Sequence, residues 1–388
     1  MTTRQRNATI LAVIVLAAAG LAVFSGGGGV GGGSGGGRAS VLDAVPGDSF
    51  LVATLSVPEL RASPIAVPLI KLASSLGGMG NAEKECGFDP FARVDEMAVA
   101  VPEETTGELG VIVAGRLDAT ELITCAKKVI AARGGSATVA PSAEHPSFTL
   151  IEEASALDGK PSLALGTQGL LLVGKGAWLA KMMETAEGKR PSLKKNERHM
   201  ALRSGAGEGR SIVLTVLLPA ALRSRLRGEM VEELDGGEAA NPSMAGVLGV
   251  NSAAVALAAG APGGTTELLA ELQCDTPEAC AQVRALIERK RAGWSKDMSF
   301  RFIGLSPLFD ALTVSADGAK VTASTRMPAD DARMLVERLL DLRRGRPPAS
   351  PALSPPTREP LAPRAPSDAP TRSDEVISAK KEAGAGRR

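Results

Sequence analysis

An apparent internal duplication is the feature that most constrains how this chain can fold. Ser49–Arg61 (SFLVATLSVPELR) and Ser211–Arg223 (SIVLTVLLPAALR) share one pattern: an apolar strand, then a proline at the first position of a helix. Three further pairs of segments match in the same order along the chain: Val94–Val101 with Val250–Leu257, Leu109–Leu117 with Thr266–Gln273, and Leu170–Gly188 with Val321–Asp341. The sequence therefore predicts that one structural unit occurs twice.

Each matched unit has the predicted order β-α-β-β-α-β-β-α. Not all of these helices can be crossovers between parallel strands. We therefore expect an α+β fold made of two tandem units, residues 41–188 and 211–342. Each unit is expected to form a mixed or antiparallel sheet with helices packed mainly on one face. Residues 189–210 are rich in Lys, Arg, Gly and Ser and are interpreted as a connector.

An N-terminal apolar segment predicts attachment to a membrane. Residues 8–24 (ATILAVIVLAAAGLAVF) carry no charge, and Arg4 and Arg6 precede them. Basic residues before a spanning helix stay in the cytoplasm, so the body would lie outside. We expect residues 1–25 to be an uncleaved, single-pass anchor in the inner membrane, with the body in the periplasm. A cleaved signal peptide is the main alternative.

Two low-complexity segments flank the body. Residues 26–40 (GGGGVGGGSGGGRAS) have almost no side chains to bury and predict a flexible linker. Residues 343–388 are rich in Pro, Ala and Ser, with ten basic and five acidic residues, and predict a disordered basic tail. A further alternative for the function is that this tail binds anionic envelope polymers. The whole chain has a net charge of only +1, which argues against a dedicated nucleic-acid-binding protein.

The four cysteines favour two disulfides, as expected of an exported chain. Cys274 ends a predicted strand and Cys280 lies in the first turns of the next helix, so this pair can close a short loop. Cys86 would then pair with Cys125 by elimination. Free buried thiols are the alternative, and no Cys/His spacing typical of a metal site occurs.

No catalytic constellation is found in the sequence. His145 lies in a predicted loop and His199 in the connector, and both are interpreted as solvated surface residues. We therefore expect no catalytic residues, no metal and no cofactor. Lys175 and Arg326 are candidates for anion sites, because each stands near the start of a predicted helix at matched places in the two units.

The body resembles uncharacterised exported proteins of high-GC Gram-negative bacteria. The resemblance is carried by VLDAVPGDSFLVATLSVPELRASPIAVPL, CGFDPFARVDEMAVAVPE and CDTPEACAQVRALIERK, and covers most of residues 40–342. It implies the same compartment and fold class, and no known activity. We expect a membrane-tethered envelope binding or scaffold protein with an envelope protein as its partner. An envelope enzyme, for example a hydrolase that uses His145 and nearby carboxylates, is the alternative.

Overall fold

The computed structural model describes residues 40–69, 82–103, 108–154, 161–207, 209–224, 246–302 and 304–343. The predicted anchor (8–24), nearly all of the linker and nearly all of the tail lie outside these residues. Among the described residues, none of the helices has both the length and the apolar character needed to cross a bilayer.

The strands and helices alternate irregularly along the chain. The strands are β1 (Ser49–Ser56), β2 (Val94–Pro102), β3 (Gly110–Gly115), β4 (Ala137–Pro141), β5 (Phe148–Glu153), β6 (Ser162–Gly166), β7 (Leu170–Gly174), β8 (Ile212–Leu217), β9 (Val250–Ala258), β10 (Thr265–Cys274), β11 (Thr313–Asp317) and β12 (Lys320–Pro328). The helices are α1 (Val41–Ala44), α2 (Val57–Arg61), α3 (Ala82–Cys86), α4 (Ala119–Ala132), α5 (Gly176–Ala186), α6 (Glu197–Ala206), α7 (Pro277–Lys296), α8 (Met298–Phe302), α9 (Ser306–Asp310) and α10 (Ala329–Arg343). Short 3-10 turns occur at Pro90–Arg93 and Leu193–Lys195.

These strands form one 12-stranded sheet in the order β11-β12-β10-β9-β8-β1-β2-β3-β7-β6-β5-β4. Every neighbouring pair is antiparallel. The predicted α+β class is confirmed, but the expectation of a separate sheet for each unit is wrong. β1 and β8 pair directly, with Val52 opposite Thr215. This pairing satisfies backbone groups that two separate sheets would leave exposed along open edges.

One face of the sheet, here named the α5 face, is covered by α1, α5 and α6. Successive residues of a strand point to opposite faces, so the clusters of buried side chains show which helix covers which face. Val52, Ile112 and Leu172 project to the α5 face and pack against Trp178 and Met182 of α5. Further along the same face, α6 covers β8 and β9 through a second cluster: Leu202, Ala206, Val213, Ala254 and Ala256.

The opposite face, here named the α10 face, is covered by α2, α7 and α10. Leu55 and Met97 project there with Leu60 of α2 and Ala332 of α10. The helix α7 covers β9 to β12 on this side; its cluster contains Val250, Cys274, Cys280, Val283 and Val321. The expectation of helices mainly on one face is therefore wrong. Strands such as β1 carry apolar residues at consecutive positions, so both of their faces require a covering layer.

Part of the predicted connector, residues 189–210, is a helix that packs on the core. This helix is α6, whose His199, Leu202 and Ala206 are buried. These residues lie three and four positions apart, the spacing that places side chains on one face of a helix. Asn196 caps α6, since its side-chain oxygen accepts a hydrogen bond from the His199 N–H at 3.1 Å. The polar composition of the segment conceals this apolar stripe.

Two disulfides link helices to neighbouring elements. Cys86 is bonded to Cys125, which joins α3 to α4. Cys274 is bonded to Cys280, which joins the end of β10 to the first turns of α7. These are the pairs expected from the sequence. A disulfide stabilises a fold mainly by restricting the unfolded chain.

Candidate functional site

A cavity of about 410 Å³ opens between α6 and the adjoining ends of β1 and β2. It is named here the α6 cavity. Its apolar wall is formed by Leu42, Leu55, Met200 and Val213. Its charged groups are Glu59, Asp95, Glu96, Arg203 and Arg210. The cavity therefore combines an apolar wall with charges of both signs.

Arg203 of α6 is the unusual group in this cavity. Its Nη1 atom is buried and has no hydrogen-bond partner among the described residues. Burial lowers the pKa of Arg203, and the nearby Glu96 carboxylate offsets this only in part. A guanidinium stays charged in proteins, so the buried N–H groups of Nη1 are donors that find no acceptor among the described residues. Such unsatisfied groups are rare, and each calls for an explanation.

Glu96 is already engaged on the other wall of the cavity. Its Oε2 accepts hydrogen bonds from Ser40 Oγ and the Val41 N–H, both at 3.2 Å. Glu96 thereby fixes the first turn of α1, where a negative charge favourably meets the helix N-terminus. Glu59, in the first turn of α2, is an exposed carboxylate at the same cavity.

Arg210 belongs to a charge bridge on the sheet beside the cavity. Its Nη1 lies 2.6 Å from Glu267 Oε2, while Arg326 binds Glu267 Oε1 through Nε at 3.0 Å and Nη2 at 2.9 Å. Hydrogen bonds from Arg210 and Arg326 lower the pKa of Glu267, although burial opposes them. Arg326 therefore lies in β12 and is paired with Glu267. It is not an unpaired cation at the start of a helix, as the predicted anion site requires.

Lys175 is exposed and occupies the N-cap position of α5 without making a side-chain cap. It follows β7, whereas Arg326 lies in β12, and seven strand positions separate the two strands. At the usual spacing of strands this is roughly 34 Å. The two anion-site candidates therefore do not form one site.

His199 was interpreted as a surface residue and is instead fully buried. Its Nε2 lies 2.9 Å from the Ser49 carbonyl and its Nδ1 lies 2.8 Å from Thr215 Oγ1. The carbonyl can only accept, so Nε2–H donates to it and Nδ1 accepts from the threonine hydroxyl. Burial lowers the pKa of His199. His199 is a neutral link between α6 and the central strand pair β1–β8.

His145 is also buried, contrary to the prediction, with 4% of its surface exposed. It follows β4 in the loop to β5, and its Nδ1 lies 3.0 Å from Glu187 Oε2, at the end of α5. Ser147 Oγ donates to Glu187 Oε1, and Lys189 Nζ lies 2.6 Å from Oε2. Burial raises the pKa of Glu187, but the hydrogen bonds from Lys189, Ser147 and His145 outweigh it and lower the pKa to about 2.

The His145 cluster differs from a nucleophilic triad in one contact. In a triad the histidine accepts the hydroxyl proton of the nucleophile while the acid orients the histidine. Here Ser147 donates to Glu187, the same carboxylate that holds His145. The described residues also contain no group of three His, Cys, Asp or Glu side chains arranged to hold a metal ion.

Sequence reasoning missed Arg203 and Glu96 altogether. Arg203 fell in the supposed connector, yet the helical spacing of His199, Leu202 and Ala206 and the Asn196 cap are signals from which α6 could have been found. Glu96 has no such signal, because its role depends on α1 and α6 packing beside the start of β2 in the folded chain.

The comparisons with known proteins assign no family to this chain. No protein-family model and no curated protein matches it. Among solved structures, it is similar to the one titled "Structure of crystal form IV of TP0453", with 12% identity, a TM-score of 0.43, and coverage of 76% of this chain and 96% of that chain. The structure of crystal form I of TP0453 gives 10% identity, a TM-score of 0.41, and coverage of 78% and 98%. A likeness this distant carries no argument about function.

Proposed function

We propose that this protein is a membrane-tethered binding or scaffold protein of the bacterial envelope, without catalytic activity, and that it binds its partner at the α6 cavity. In this proposal residues 8–24 anchor the chain in the inner membrane and the body lies in the periplasm. The apolar N-terminal segment, the glycine-rich linker and the resemblance to exported proteins support this placement.

The buried Nη1 of Arg203, with no partner among the described residues, is the observation that carries the proposal. A bound carboxylate would supply the missing acceptor, and hydrogen bonds to a charged group are among the stronger ones. Glu59, Asp95 and Glu96 would repel a ligand with several negative charges. We therefore expect a single acidic side chain or a chain terminus of an envelope protein to enter the cavity beside its apolar wall.

Photo-crosslinking in native membranes tests this proposal. A photoreactive residue in place of Ser204, at the cavity wall, should capture a protein partner. Adding Arg203→Gln should reduce the yield of that adduct about tenfold or more, since loss of a charged hydrogen bond costs roughly 1.5–3 kcal/mol. A photoreactive residue at Thr120, exposed on α4, is the control and should not give the same adduct.

An adduct at Ser204 that persists unchanged with Arg203→Gln would contradict the role of Arg203. The same adduct formed from Thr120 would show that capture does not depend on the cavity. Circular dichroism of Arg203→Gln separates loss of binding from loss of folding.

We also propose that the two halves of the sheet descend from a duplication. The strand order supports this, because the matched segments lie at equal distances from the centre: β1 and β8 are adjacent, β2 and β9 flank them, and β3 and β10 come next. The proposal concerns descent and does not require two independent folding units.

The halves should not be stable apart. α6 precedes the second half in sequence yet covers β8 and β9, and α10 at the end of the second half contributes Ala332 to the cluster around Leu55 and Met97. Residues 40–207 and 209–343, expressed as two chains, should co-purify as a 1:1 complex and aggregate when expressed singly, because each exposes an apolar edge strand. Size-exclusion chromatography with light scattering measures this. Two soluble, folded monomers would show that the halves are independent.

A further inference from the structure

The end of α7, with α8 and α9, concentrates the aromatic residues of this chain. Trp294, Phe300, Phe302 and Phe309 are four of its ten aromatic residues, within sixteen positions. Residues 289–302 and 304–310 are named here the aromatic elbow. The Trp294 ring lies 5.2 Å from that of Phe309 and 6.1 Å from that of Phe300, and the two Phe rings lie 5.4 Å apart. The three rings pack together although the elbow is at the surface.

The elbow leaves apolar side chains in contact with water. Met298 is 75% exposed and Trp294 is 39% exposed. The surrounding contacts hold this arrangement in place: Arg291 Nη1 donates to the Leu312 carbonyl at 2.6 Å, and Ser295 Oγ donates to Asp310. An exposed apolar group on a fixed support is typical of a surface that contacts a partner or a membrane.

The charge of the elbow is strongly positive. The elbow contains five basic residues and two acidic residues, a net charge of +3, whereas the whole chain has +1. Arg289, Lys290, Lys296 and Arg301 are all exposed. Tryptophan with an apolar neighbour and surrounding cations is the composition of segments that lie in the headgroup region of anionic membranes.

We propose that the aromatic elbow is a lipid-contact site that places Trp294 and Met298 in the headgroup region of an anionic membrane surface. An acidic protein surface could satisfy the cations, but a flexible, protruding methionine beside an indole suits the fluid boundary of a bilayer. The proposal rests on the proposed function in one respect, because a body anchored through residues 8–24 would lie near a bilayer.

Fluorescence quenching by brominated lipids tests this contact. The full chain is reconstituted in phosphatidylcholine vesicles with or without phosphatidylglycerol, and the lipids carry bromine on the first acyl carbons. Only two tryptophans exist, and Trp178 is buried under the sheet, so Trp178→Phe leaves Trp294 as the reporter. We expect quenching of Trp294 at least about twofold stronger in the anionic vesicles, because each cation near such a surface favours contact.

All of the variants keep the predicted anchor, so a difference in quenching between them reports on the elbow. Lys290→Glu with Lys296→Glu should abolish the excess quenching, and Met298→Ser should reduce it. Met334→Ser, which alters a methionine of α10 that is 40% exposed, should leave it unchanged. Equal quenching in neutral and anionic vesicles, or none in either, would overturn the proposal. Neither result bears on crosslinking at the α6 cavity, so the two proposals fail separately.

Discussion

Replacing His199 with alanine should lower the free energy of unfolding by about 3–5 kcal/mol. The imidazole connects α6 to both central strands, since it donates to the Ser49 carbonyl and accepts from Thr215. Its removal leaves two buried polar groups without this partner, and each such loss costs about 1–3 kcal/mol. The cavity left by a fully buried ring adds to the loss.

Chemical denaturation followed by far-UV circular dichroism measures this difference. Arg198→Ala, at the exposed neighbouring position, is the control and should change the free energy by less than about 0.5 kcal/mol. If His199→Ala also lost less than about 1 kcal/mol, the central link would not depend on the histidine.

The same histidine should make stability depend on pH. The pKa of His199 is lowered in the folded state from the usual 6.5. Between the two pKa values the unfolded chain is therefore protonated at this histidine and the folded chain is not. The contribution of the neutral ring is complete above pH 6.5 and is lost as the pH falls from 6.5 toward the folded-state pKa. The slope in that window is at most about 1.4 kcal/mol per pH unit, and His199→Ala should remove it.

The local patterns of this sequence predicted more than its long-range geometry. Apolar runs and helix starts identified β1, β8 and the Cys274–Cys280 pair, since these depend on neighbours in sequence. The single sheet was not predicted, because the residues of β1 and β8 carry no local signal that the two strands pair with each other. The burial of both faces was also missed, although the consecutive apolar residues of β1 are the physical reason for it.

The candidate site was almost wholly outside the reach of the sequence. Arg203, Glu96 and Glu59 come from three separate segments and meet only when α6 returns to the ends of β1 and β2. The histidines illustrate the same limit. Polar neighbours predicted exposure for His199, but its burial depends on acceptors and donors supplied by Ser49 and Thr215 from distant strands.

The second large effect is expected at Glu187, where a carboxylate stands at the C-terminal end of α5. A negative charge there is disfavoured by the helix dipole. Hydrogen bonds from Lys189, Ser147 and His145 nevertheless lower its pKa from 4.5 to about 2 against the opposing effect of burial. A shift of this size corresponds to about 3 kcal/mol of stability at neutral pH. Glu187→Gln should remove up to that amount, because the neutral amide cannot replace the charge-assisted bonds.

The pH dependence of this difference distinguishes charge from packing. The contribution of Glu187 is complete above pH 4.5 and is lost as the pH falls toward 2, so the gap between wild type and Glu187→Gln should be largest near pH 7 and close at about pH 2. Glu184→Gln, which breaks the more exposed pair with Arg190, should cost less than about 1 kcal/mol at any pH. A gap that stayed constant with pH would assign the loss to packing. A gap that closed would show that the ionised Glu187 carboxylate holds the loop after β4 against α5. In a hydrolase that used His145, the carboxylate that orients the histidine would then also be needed for stability.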